Sequence, residues 1–293
     1  MKRDHIDPKI YELYDEYCHT GMSRRDFLSR ASSLTIVGGS GLAMAQALLP
    51  NYANAEEVLF TDDRIKANWV EYPSPGGSSG SMRGYLVQPA GKGPFPAVVI
   101  IHENRGLNPY IKDVARRAAV AGFLALAPDG LAPIGGYPGN DDEGKQMQAS
   151  LDQEQLYKDM LNSAWYVKKH PLSNGKLGAT GFCYGGGVVN QLAVDMGKDL
   201  DAGVPFYGRA PALEDVVSIE AAMMIQYAED DPRINAMRSD YEQALKASGT
   251  EFVIYSYPNT RHGFHNYSTP RYNEEQAKLA WRRTTEFFDQ KLI

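Results

Sequence analysis

The chain has 293 residues, 43% hydrophobic and 23% charged, with a formal net charge of −6, which is ordinary globular composition and enough for one large domain plus an extension. The acidic balance, with no Lys/Arg block interleaved with aromatics, excludes nucleic acid as an expected partner. Two cysteines, Cys18 and Cys183, stand in unlike settings and exclude a disulfide framework as the organising principle.

In chain order, Ser23-Arg24-Arg25-Asp26-Phe27-Leu28 precedes a mildly apolar stretch from Ala31 to Leu49 and then Ala53-Asn54-Ala55. An arginine pair, a modest apolar region and a small-residue site in that order read as a twin-arginine export signal, cut after Ala55, and hence a periplasmic or exported protein. Gly38, Gly39, Ser40 and Gly41 interrupt the stretch, so no stable membrane span is expected. The alternative is a retained amphipathic extension on a cytoplasmic protein, because Ile10, Leu13, Tyr14 and Tyr17 have helical spacing. The expected division is residues 1–55 as extension and 56–293 as catalytic domain.

Beyond Glu57, short β-rich runs alternate with longer helical ones, which predicts βαβ units in a doubly wound, mostly parallel α/β sheet flanked by helices. Strands near Ala67–Tyr72 and Met82–Gln88, joined by the Gly/Ser-rich turn 73–81, are expected to open the sheet as an antiparallel pair. Phe95-Pro96-Ala97-Val98-Val99-Ile100-Ile101 reads as a strand buried on both faces. A helix over 110–121, a strand over 123–128 and a long Gly/Pro/Asp-rich loop from Asp129 to Glu143 follow; such a loop is surface decoration or a substrate flap. A helix over 151–169 leads to a strand at 176–182. Later strands are expected at 202–207, 222–227 and 252–257, with helices at 236–247 and 273–290. Ligands of such a sheet bind beyond the carboxyl ends of its strands.

The informative motif is Gly181-Phe182-Cys183-Tyr184-Gly185-Gly186, between a strand and the helical run 187–196. It has the form of the nucleophile elbow of the α/β-hydrolase fold, G-x-S-x-G, with cysteine replacing serine. The turn is too sharp for side chains at the flanking positions, and it lifts the central one clear of the sheet at a helix N-terminus, where a thiolate is favoured. A small inert cysteine in a tight turn is the plainer reading. A phosphate loop lacks both the G-x-x-x-x-G-K-[ST] lysine and the G-x-G-x-x-G spacing.

The fold places an acid after a late strand and a histidine after the last one. Asp230 and Asp231 follow 223–227, and His262 follows 252–257, giving a Cys183, Asp231, His262 triad in which histidine takes the thiol proton and the aspartate sets its tautomer. Either aspartate could serve, and an Asp-Asp-Pro run is equally a helix cap. His265 is the other candidate base; with His262 it has metal-like spacing but no evident third ligand, so no metal is expected. Backbone N–H groups of Tyr184 and Asn104 are the expected oxyanion donors. Glu103 beside that loop would compete for the thiol proton, unless it is merely paired with Arg105.

Together, Gly181 to Gly186, Glu103, Asp231 and His262-Gly263-Phe264 resemble the dienelactone hydrolase family over residues 82 to 293. The resemblance implies hydrolysis of a small ester or lactone through a thioester on cysteine, without metal or organic cofactor, and a glutamate, here Glu103, that pairs with the resting thiol. Prominent members also hold a substrate carboxylate with arginines, one a few residues after the triad histidine. Here that stretch reads His265-Asn266-Tyr267-Ser268 with Arg271 later, which departs from the pattern. Tyr137, from the long loop, and Arg271 are candidate substrate-binding residues. A peptidase using the same triad and a degenerate, non-catalytic binding module are the competing functions.

Overall fold

The structure, a computed structural model, describes residues 6–20, 22–34, 40–49 and 56–293. Eight strands form a single sheet: β1 (Ile65–Ser74), β2 (Gly80–Pro89), β3 (Phe95–Ile101), β4 (Leu124–Pro128), β5 (Ser173–Phe182), β6 (Ala202–Phe206), β7 (Ala222–Asp230) and β8 (Phe252–Arg261), in the order β1-β2-β4-β3-β5-β6-β7-β8. β1 and β2 pair antiparallel, as does β2 with β4, and every other neighbour is parallel.

The unbroken apolar run of β3 has its reason in this arrangement. Val98 and Ile100 face a layer built on α4 (Pro109–Val120) and α10 (Glu274–Leu292). Ala97, Val99 and Ile101 face the opposite layer, built on α6 (Gln153–Lys168), α7 (Tyr184–Met196) and α9 (Arg238–Ser248). A strand whose successive side chains enter two cores cannot alternate with polar residues. After β4 the chain crosses back past β3 to lay down β5. The strand order therefore reverses between β3 and β5, and the crevice at their carboxyl ends is where such sheets bind ligands.

The expected 129–143 loop is partly ordered otherwise. A short 3-10 turn covers Ala132–Ile134, and a further helix, α5 (Asp141–Ser150), precedes α6. Its polar sequence hides the helical period, yet Asn140 accepts from the Glu143 N–H as an N-cap and three acids fill its first turn, both ordinary helix-start signals.

At the N-terminus, α1 (Pro8–His19), α2 (Arg24–Ser33) and α3 (Gly41–Ala47) pack together, with Ile10, Tyr14, Phe27, Ala31 and Met44 at or near full burial. Ala53-Asn54-Ala55 and residues 35–39 of the apolar stretch lie outside the described residues. Among those described, no helix is long and apolar enough to cross a membrane.

Candidate active site

Cys183 stands between β5 and α7 with φ +56, in the left-handed region that a cysteine rarely occupies. The surrounding glycines make the turn possible by the absence of side chains. A Cβ on Gly181 would meet the Gly185 carbonyl oxygen at 2.4 Å, one on Gly185 the Ile101 oxygen at 2.3 Å, and one on Gly186 the Phe206 oxygen at 2.5 Å. The elbow is thus wedged against the ends of β3 and β6.

Asp231 follows β7 and caps the short helix α8 (Pro232–Asn235), accepting from the Ile234 N–H at 3.3 Å. Its other carboxylate oxygen is 2.6 Å from His262 Nδ1, both side chains being almost fully buried. Helix cap and histidine partner are therefore one residue. Burial works against its charge, but the His262 contact and the nearby Arg233 hold the Asp231 carboxyl below its ordinary value. Asp230 instead forms a half-exposed ion pair with Arg261 at 3.1 Å. His265, the alternative base, is fully enclosed: Tyr110 is hydrogen-bonded to its Nδ1 at 2.6 Å, and Phe182 and Phe206 pack on the ring. Burial, with Arg117 adding to it, pushes its pKa well down, so it is a neutral core imidazole. Among the described residues no three metal-ligating side chains come together.

Burial acts on the Cys183 thiol more strongly than the helix N-terminus does. Burial first, and the Glu103 carboxylate second, push its pKa up to about 12, against weaker help to the thiolate from Arg233 and the Tyr184 N–H. Glu103 is itself raised by burial, despite opposing contributions that include Arg105, Arg271 and a hydrogen bond from Asn266. That bond, Asn266 Nδ2 to Glu103 Oε2, is 2.8 Å long. Arg105 is not the direct partner of Glu103; its guanidinium is paired with Asp141 at 2.9 Å.

A cleft of about 820 Å³ opens above Cys183 and is lined also by Asn104, Tyr184 and Tyr207. It is also lined by Pro211, Leu213, Ile234 and Met237, with Arg209, Arg233 and Asp240 as its charged groups. The two candidate substrate residues lie elsewhere. The Tyr137 hydroxyl donates to Asp141 at 2.7 Å, and Arg271 lines a separate cavity with Asp231 and His262. Sequence reasoning passed over Tyr207, whose ring packs 4.8 Å from that of His262. It follows the carboxyl end of β6 with φ +38, and no motif in the sequence marks it.

A family model described as "Dienelactone hydrolase family" matches residues 82–292, and one described as "YqhI-like" matches residues 1–37. A "Putative hydrolase fragment YghX" from Escherichia coli is 60% identical over 114 residues, 39% of this chain and 97% of that one. A "Putative carboxymethylenebutenolidase" from Saccharolobus solfataricus is 31% identical over 244 residues, 70% of this chain and 93% of that one. The crystal structure of a "Putative Dienelactone Hydrolase" from Klebsiella pneumoniae superposes with a TM-score of 0.66 at 26% identity, covering 77% of this chain and 99% of that one. With the sheet order, the elbow and a match over most of its length, the chain belongs to the dienelactone hydrolase family and is a hydrolase of that type.

Proposed function

We propose that the protein hydrolyses a small ester or lactone through a thioester on Cys183. The observations that carry this reading are the buried His262–Asp231 pair at 2.6 Å, the strained elbow that presents Cys183, and Tyr207, which packs on His262 and lines the cleft with Cys183. Nucleophile, base and acid then follow in the chain order of the fold. In the resting enzyme burial and Glu103 keep the thiol protonated. On attack its proton passes to His262 while sulfur adds to the substrate carbonyl. The backbone N–H groups of Tyr184 and Asn104 receive the developing oxyanion. As the tetrahedral species collapses, the C–O bond breaks and the leaving oxygen takes the proton from His262, leaving the thioester. Water, deprotonated by His262, adds to the thioester; sulfur leaves with the proton, and the carboxylic acid is released.

The apolar residues of the cleft, with two arginines and one carboxylate among its lining, favour a compact substrate whose acyl or alcohol part is apolar and which carries a polar group. A carboxymethylenebutenolide, the substrate class in the names of several relatives, is one such compound. The stretch after His262 carries no arginine before Arg271, which lies in a separate cavity, and Asn266 there binds Glu103, so a different lactone or ester is the better candidate. Turnover of p-nitrophenyl esters and small lactones by wild type, lost in Cys183→Ala, is the expected result. Full activity in Cys183→Ala would end the proposal.

A further inference from the structure

The three N-terminal helices rest on the loops that carry the site. The Asn104 side-chain amide donates to the Cys18 carbonyl at 2.8 Å, and the Arg105 guanidinium lies 3.1 Å from the Cys18 sulfur while its other arm holds Asp141. Arg271 stacks over the Tyr14 ring at 4.8 Å and Arg261 over the Tyr11 ring at 4.3 Å. Asn104 and Arg105 follow β3, whereas Arg261 and Arg271 bracket His262, so the unit touches the active site from two sides. Between them a cavity of about 330 Å³ has Tyr11, Glu12 and Asp15 on one wall and Asp231 and His262 on the other. Phe27 and Ala31, which follow the arginine pair, are packed inside this unit.

A buried guanidinium such as Arg105 is stable only while its partners are in place. One of them, Cys18, comes from the N-terminal unit. Removing that unit would free Asn104, whose N–H is a proposed oxyanion donor, and would change the charges around Glu103 and hence around the thiol. We propose that α1–α3 form a retained cap of the mature enzyme, and that Cys18, which holds the Asn104–Arg105 segment, and Tyr14, which holds Arg271, are positioning residues for hydrolysis. This rests on the Cys183 hydrolase reading, and it replaces a cleaved leader with a working part of the site.

The test uses full-length protein in the single variants Tyr14→Ala and Cys18→Ala. Misplaced catalytic donors lower turnover rather than substrate binding, so kcat should fall on the order of 10-fold or more with KM changed by less than about twofold. The pH profile of Cys183 alkylation should shift as well, because Arg105 and Arg271 act on Glu103. Wild-type kcat and an unchanged alkylation profile would overturn the proposal, as would a fall in melting temperature alone. If the variants do not fold, the intact mass of wild type expressed with its own N-terminus in a bacterium with twin-arginine export decides. A chain that keeps the residues before Glu56 supports the cap, and an active chain beginning at Glu56 contradicts it. Absence of esterase activity in wild type would instead count against the Cys183 reading, with the alkylation profile and the mass still reporting on the cap.

Discussion

Two opposing influences meet at the Cys183 sulfur. A helix N-terminus favours an anion by about 0.3–1 kcal/mol at an exposed site. Displacement of a thiol pKa from 9.0 to about 12 corresponds to roughly 4 kcal/mol. Burial and Glu103 therefore win, and in the proposed mechanism Cys183 rests as a thiol that His262 would ionise. Alkylation of Cys183 should accordingly be slow at pH 7 to 8 and keep rising toward pH 12, unlike that of an exposed cysteine, which levels off soon after its ordinary pKa. The same shift has a stability consequence. Because the folded pKa is raised, the native state gains from the protonated form below pH 9.0, and that gain is lost as pH climbs toward 12. Urea unfolding at alkaline pH should show wild type weakening relative to Cys183→Ala in that window only. At the acid, Asp231→Asn should lower kcat by about 10⁴-fold, by analogy with other triads, while Asp230→Asn, which loses a half-exposed ion pair, should change it little. Cys183 and His262 were proposed as nucleophile and base from the motif and its chain order. Asp231 was preferred from the sequence with Asp230 left open, since adjacent aspartates after a strand look alike; the structure adds that Asp231 turns inward to His262 while Asp230 pairs with Arg261.

At the level of the elements, the elbow is held by what its glycines lack. Gly185→Ala places a methyl group 2.3 Å from the Ile101 carbonyl oxygen and 2.7 Å from that of His102, and neither can yield without moving the end of β3. A loss of about 1–3 kcal/mol is expected, as for other overpacked core sites. Because the same movement displaces Asn104, activity should fall further than stability, as parallel thermal melts and ester assays would show. The central strands were legible because β3 to β8 carry runs rich in β-branched and apolar residues between Gly/Pro turns. α5 was not legible, because DDEGKQMQAS offers few apolar positions to display a period, and its capping asparagine was absorbed into an apparent loop. The N-terminal stretch reads two ways for a related reason. Ala, Gly and Ser with scattered Leu and Met serve a small helical core and an export signal equally well, and composition alone does not distinguish them.

Across the whole molecule, two large cores face the sheet, and a much smaller one lies inside the N-terminal unit. Small cores bury too little apolar surface to resist local opening strongly. Amides of α1–α3 should therefore exchange hydrogen with solvent well before those of β3 and β5, and mass-resolved exchange on the intact protein checks this. The reversal of strand order between β3 and β5 places the Asn104 loop and the elbow side by side, which is why residues about 80 apart in sequence share one cleft. Family and fold were readable from the elbow and the strand–helix alternation. The contact of the cap with Arg105 and Arg271 had no sequence signal, since it joins segments separated by most of the chain.

Whether Cys183 carries the acyl group is read by mass spectrometry of the protein quenched during turnover of p-nitrophenyl acetate. One added acetyl group is expected on the peptide containing Cys183, removed by hydroxylamine, formed by wild type and absent from Cys183→Ala. An acyl group found on another residue, or undiminished turnover in Cys183→Ala, would contradict it.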